Sequence, residues 1–181
     1  MNMSKNLLND AIIAAYLKRL ENMNKYKFTE KGDELYISTL TAETEQIEFL
    51  HVQTKILDLI LDNDAPKELG GSGLYATPMQ MFLASLANCL EISALVYFTL
   101  ANVKINSLKV KVDATYDKRA VLNLKDAPLP GFYDYKITWY INTNEKLNKI
   151  KQVLKKVESN CPVRGSIERP NRFSEEVIIK S

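Results

Sequence analysis

Apolar positions along the chain follow two periods. Near the N-terminus Leu8, Ile12, Tyr16 and Leu20 recur every four residues, with Leu7, Ile13 and Leu17 beside them. That is the stripe of an amphipathic helix docking on something else. Residues 26–29 and 35–40 flank Glu30-Lys31-Gly32-Asp33, a pattern that predicts a hairpin. Residues 46–52 and 55–61, rich in Ile and Leu, predict two more strands, and the turn residues of 62–66 end this region. A glycine link at 70–73 reads as a flexible connection. Thr77, with Gln80 three places on and Pro78 between, then forms the capping box of a helix. The helix it opens is apolar on nearly all sides, as expected of one wrapped by sheet and other helices.

Beyond it the period changes to two. Leu108, Val110, Val112 and Ala114 alternate with polar residues, as do Tyr133, Tyr135, Ile137, Trp139 and Ile141, so each run predicts a half-buried strand. A loop with Pro128 and Pro130 joins them. Leu147, Ile150, Leu154 and Val157 mark an amphipathic helix with lysines on its outer side, interrupted at Asn160-Cys161-Pro162. Val177-Ile178-Ile179 predicts a closing strand. Strands, helix, strands, helix, strand make an α+β domain rather than a regular βαβ alternation.

Composition narrows the chemistry. The chain has 181 residues, 46% of them hydrophobic and 25% charged, the profile of one globular domain and not of a disordered or fibrous chain. A net charge of +2 provides no large basic field, which argues against nucleic acid or an anionic membrane as partner. One histidine and two cysteines exclude His-cluster and four-thiolate metal sites. The apolar piece at 11–17 is preceded by Asp10 and followed by Lys18 and Arg19 without a small-residue cleavage site, unlike an export signal. The run 81–101 is long enough to span a bilayer, but Asn88 and Glu91 near its middle favour a buried helix of a cytoplasmic protein.

Few motifs carry chemistry. Gly71-Ser72-Gly73-Leu74-Tyr75-Ala76 fits the dinucleotide-binding pattern, yet no strand runs directly into it and no acid follows about twenty residues on. No cofactor is therefore expected. A serine-hydrolase elbow is absent, and His51, in an Ile/Leu/Phe-rich strand, reads as a structural side chain. Cys89 lies about three turns inside the apolar helix, where a cysteine often merely packs. Cys161 follows two good N-caps and precedes Pro162, so it opens a new helical turn; Arg164, Arg169 and Arg172 follow soon after. A helix dipole and a cationic neighbourhood of that kind lower a thiol pKa. Two cysteines on separate elements are either coincidence or a redox pair, and the residues alone leave both open.

A resemblance narrows the choice. From Pro66 onward, Pro66-Lys67-Glu68-Leu69-Gly70-Gly71, the Thr77-Pro78 helix entry, Leu83-Ala84-Ser85-Leu86-Ala87-Asn88-Cys89 and Glu158-Ser159-Asn160-Cys161-Pro162-Val163 resemble the OsmC/Ohr family of osmotically induced and organic-hydroperoxide-resistance proteins. The N-terminal helix is not part of the pattern, so residues 1–24 read as a helical appendage and 25–181 as the OsmC-like domain. The resemblance implies antiparallel sheets around a buried central helix in an intertwined homodimer. It implies reduction of hydroperoxides, with Cys89 attacking the O–O bond, Cys161 resolving the sulfenic acid to a disulfide, and an external dithiol resetting the pair.

Two departures stand against it. Peroxidase members carry a glutamate directly after the helix-opening proline, where this chain has Met79, and an arginine on an early strand. Residues 25–64 hold no arginine, only the cations Lys25, Lys27, Lys31 and Lys55, while Glu68 or Glu91 could replace the acid. The alternative is a member without peroxidase activity that binds an apolar ligand or partner at the dimer pocket.

Overall fold

A computed structural model describes residues 10–122 and 124–179. Leu7 and Leu8 of the N-terminal stripe lie outside the described residues. The elements run α1 (Asp10–Tyr26), α2 (Glu30–Tyr36), β1 (Glu43–Glu48), β2 (His51–Ile56), β3 (Leu59–Asn63), α3 (Pro78–Leu100), β4 (Ser107–Tyr116), β5 (Phe132–Asn142), α4 (Leu147–Asn160) and α5 (Pro162–Glu168). Short 3-10 turns occupy Lys67–Leu69 and Lys118–Leu122. The fold is α+β, with one antiparallel sheet ordered β1-β2-β3 and a second, antiparallel pair, β4-β5.

The core is a stack of three faces. On α3, Leu86, Leu90, Ala94 and Phe98 repeat every four residues and are buried, followed by Val103 and Ile105. From α4, Ile150, Val153 and Val157 present the matching ridge at spacings of three and four. The inner face of β4–β5 closes the stack with Leu108, Val110, Val112, Ile137, Trp139 and Ile141. Each large side chain that is fully buried here, such as Leu90, Phe98 and Val157, contributes about 1.5–3 kcal/mol. The entry to α3 is the expected capping box: Thr77 Oγ1 accepts from the Gln80 N–H, and Gln80 Oε1 accepts from the Thr77 N–H.

Several expected elements are different. The hairpin over 26–40 is instead the helix α2, because Thr29 acts as N-cap and accepts from the Gly32 N–H, while Glu30 and Asp33 favour the first turn. Gly32 is what lets this turn lie on the end of α1: a Cβ there would collide with the Tyr26 and Lys27 carbonyls. The strands expected at 46–52 and 55–61 each run across a turn. The tight corners fall at Phe49 and Leu57, whose φ angles are 49° and 54°. Positive φ in a two-residue hairpin turn usually calls for Asn, Asp or Gly, so apolar residues there gave no turn signal. The glycine link is a tied turn, in which the Asp64 carboxylate accepts from the Ala65 N–H and from the Ser72 N–H and hydroxyl. Val177-Ile178-Ile179 is exposed and pairs with no strand among the described residues.

The helix α3 is long and apolar enough to cross a membrane by length and composition alone. Its ridge packs against β4, α4, α5 and α1, but it is not wrapped on all sides within the chain. Phe82 is 44% and Ile92 63% exposed on the opposite face.

The ledger of these contacts orders two substitutions. Leu90→Ala, which opens a cavity in the α3 ridge between Leu86 and Ala94, is expected to cost about 2–5 kcal/mol, and Thr77→Ala, which removes one cap, about 1 kcal/mol. Urea unfolding followed by circular dichroism measures both, and equal losses would mean that the α3 ridge does not anchor the core.

Candidate active site

Cys89 and Cys161 are delivered to one place by the helices that carry them. Cys89 stands one residue before the fully buried Leu90, so its sulfur lies at the edge of the α3 ridge. Cys161 lies one turn beyond Val157 and extends the α4 ridge by another buried position, with the residue only 2% exposed. Pro162 then forces the break between α4 and α5: it has no N–H to continue the first helix and takes the first position of the second. The Cys161 carbonyl accepts the first bond of α5, from the Gly165 N–H at 2.9 Å. Both cysteines are free thiols, and the Cys161 Sγ donates to the Cys89 Sγ at 3.2 Å.

The two sulfurs differ in surroundings. Cys89 is half-buried and borders a groove of about 500 Å³ whose walls are Met81, Ala84, Ile92, Pro162 and Val163, with Ser85, Asn88 and Ser93 as polar positions. Cys161 is buried, and burial pushes its thiol pKa up; the N–H groups of Arg164 and Val163 pull it down, and the neighbouring Cys89 adds to the rise. The expected lowering by the helix start and the arginines is therefore overturned, because desolvation outweighs the N–H groups. The arginines are also engaged elsewhere. Arg164 Nε donates to Glu168 Oε1 at 2.7 Å and its Nη1 lies 3.8 Å from Glu158 Oε2, while Arg169 Nε donates to the Gly165 carbonyl at 3.0 Å.

Other candidate residues lie apart from the Cys89 groove. Met79 lines a neighbouring groove with Phe82 and Phe132. Glu68 is in the 3-10 turn Lys67–Leu69, and Glu91, two places after Cys89, projects from a different face of α3. Of the early cations, Lys25 and Lys31 sit over the Tyr26 ring, and Lys55 is near Glu43 and Glu45 on the first sheet. His51 Nε2 is 2.8 Å from Asp62 Oδ1 and its ring stacks on Tyr75 at 4.5 Å, a cross-strand contact of β2 and β3 away from the sulfurs. Among the described residues no group of three His, Cys, Asp or Glu side chains is placed to hold a metal ion. The contribution of Pro162 and Val163 to the Cys89 groove was not visible in sequence, because it depends on how α5 turns back on α3.

With one cysteine on the central helix and the other at a Cys-Pro helix break, their sulfurs 3.2 Å apart, the fold and site define a class of two-sheet α+β proteins with two adjacent thiols. Residues 70–176, more than half of the chain, match the family model described as OsmC-like protein. The chain belongs to the OsmC family. Solved structures with the same fold include an OsmC-like protein from Mycoplasma pneumoniae, 18% identical, TM-score 0.61, covering 72% of this chain and 88% of that one. The organic hydroperoxide resistance protein OsmC from Legionella pneumophila is 21% identical, TM-score 0.55, covering 73% and 90%. An organic hydroperoxide resistance protein from Elizabethkingia anophelis is 18% identical, TM-score 0.53, covering 73% and 89%. Among curated proteins nothing matches the chain.

The raised Cys161 pKa has a consequence for labelling. A raised folded-state value means the neutral thiol is the form the fold favours, so this group's contribution to stability is complete below its unfolded pKa. It is lost as pH rises through the folded value. Iodoacetamide at neutral pH is expected to alkylate the more exposed Cys89 first, with Cys161 following only as the pH is made alkaline, as read by peptide mass mapping. Preferential labelling of Cys161 at the lower pH would contradict the assignment.

Proposed function

We propose that the protein reduces organic hydroperoxides through Cys89 and Cys161, in a role linked to stress or detoxification. The observation that carries this reading is the 3.2 Å contact between two sulfurs 72 residues apart. Family membership and neighbours named for hydroperoxide resistance support it. The more exposed Cys89 is the attacking sulfur. As thiolate it takes the distal oxygen of ROOH, the O–O bond breaks, and ROH leaves after taking up a proton, with Cys89 as sulfenic acid. The Cys161 sulfur then attacks that sulfur, water leaves, and a disulfide forms. An external dithiol reduces the bridge and is itself oxidised to a disulfide. Closing a loop of this length stabilises the folded chain by about 4 kcal/mol in the loop-entropy model.

The working unit in this proposal is a homodimer of the OsmC-like domain in the cytoplasm, with the N-terminal helix as an appendage. The exposed surface supports it. A folded monomer of this mass has an accessible surface of about 8,900 Å², whereas the chain alone exposes 14955 Å² at 20.6 kDa. Much of the excess is apolar. Phe49, Leu57, Leu59 and Ile60 on the first sheet, Ile92 on α3 and the tail from Val177 to Ile179 all face outward. A second chain laid over these faces removes them from water and completes the pocket walls.

A second reading follows from Met79, which turns the position of an acidic group into part of an apolar groove. On this reading the protein binds an apolar ligand or partner without turning peroxide over. Reduced protein mixed with cumene hydroperoxide separates the two. The enzyme loses two thiols per chain and two hydrogens in intact mass, Cys89→Ser abolishes the reaction, and Cys161→Ser stops at a sulfenic acid trapped by dimedone. Oxidation no faster than that of free cysteine favours the binder. Sedimentation velocity is expected to give twice the chain mass, and a monomer at micromolar concentration would remove the dimer from the proposal.

A further inference from the structure

Beside the cysteine groove lies a second cavity of about 700 Å³, which the thiol chemistry does not use. It falls within the size range of small-molecule sites. The two grooves share only Val163 among their lining residues. The second is walled by aromatic side chains. Phe82 from α3 stacks on Phe132 at the start of β5 with ring centroids 6.1 Å apart, and Tyr135 meets Phe132 edge-on at the same distance. Phe173, from the chain after α5, closes the far side and is 91% exposed.

That closing segment is held in place. The Asn171 side-chain amide donates to the Ser166 carbonyl at 2.8 Å and to the Arg169 carbonyl at 3.1 Å, which pins the backbone to the end of α5 and sets Arg172 and Phe173 at the groove. Arg172 is the one cation among the lining residues, and no carboxylate lines the cavity with it. Three of the other four arginines are engaged: Arg119 is paired with Asp117, Arg164 with Glu158 and Glu168, and Arg169 with a backbone carbonyl; the fourth, Arg19, is on α1 and is not among the lining residues. Among the described residues Arg172 has no such partner. A guanidinium without a counter-ion at the mouth of an aromatic groove is complementary to a molecule with an apolar body and one planar anionic end.

We propose that this groove binds an amphipathic carboxylate, with its ring or chain against Phe82, Phe132 and Phe173 and its carboxylate on the Arg172 guanidinium. The proposal does not depend on the peroxidase reading, since the groove needs neither sulfur; it rests on the second reading, whose Met79 groove this is, and names the occupant's chemistry. Binding rather than turnover therefore tests it.

Isothermal titration of the full-length protein with 4-phenylbutyrate and with 4-phenylbutan-1-ol, the same body with and without the charge, is the experiment. The acid is expected to bind about tenfold more tightly at low salt, as a charge-assisted pair predicts. Arg172→Gln brings the acid down to the alcohol without changing the alcohol, and Arg172→Lys keeps part of the preference. Circular dichroism on each variant confirms the fold. Equal binding of acid and alcohol, a preference that survives Arg172→Gln, or no binding of either probe because a second copy fills the groove, would each overturn the proposal.

Discussion

Two packed ridges hold the molecule's chemistry in place. Leu86, Leu90, Ala94 and Phe98 on α3 meet Ile150, Val153 and Val157 on α4, and the interior formed there is close to solid in its packing. Cys89 is a neighbour of Leu90 and Cys161 is one turn beyond Val157. The two sulfurs therefore inherit their positions from residues that cannot shift without opening a void. Pro162 adds the other half of the constraint by ending α4 at that turn. Without it the helix would carry the next residues past α3 and the Cys89 groove would lose its Pro162–Val163 wall.

The same burial that fixes Cys161 works against its ionisation. Desolvation raises the thiol pKa more than two backbone N–H groups lower it, and the nearest arginine is turned toward Glu158 and Glu168. Cys89 stands at the boundary between interior and groove, where a small molecule can reach it. One sulfur is therefore accessible and the other is held in its neutral thiol form. This difference is set by depth in the core rather than by any sequence motif around either residue.

Around this centre the chain is open. The first sheet is joined to the rest at its β3 end, by the bonds of Asn63 and Asp64 to Ala76 and Ser72 and by the stacking of His51 on Tyr75, and every residue of β1 is exposed. A three-stranded sheet with so little to pack on has its apolar residues facing water, at a cost that a single chain of this size does not normally carry. The family-model match covers residues 70–176 and so leaves α1, α2 and this sheet outside it. These are the parts whose place in the molecule depends most on what lies against them.

Periodicity determined a good deal from sequence alone: the capped α3, the alternating β4 and β5, the amphipathic α4 and its break at Cys161-Pro162, and the identity of the two sulfur-bearing residues. These features depend on local spacing and on residue chemistry, both readable along the chain. The helix α2 is not legible in the spacing, because Thr29 can as well end a strand as cap a helix, and the turns at Phe49 and Leu57 carry apolar side chains at positive φ, which give no turn signal. Only the tertiary structure decided that residues 72 apart touch, that Cys161 is raised and not lowered, and that the neighbouring arginines are occupied. Distance across the fold and the loss of water around a group are properties of the packed interior, and no spacing along the chain encodes them.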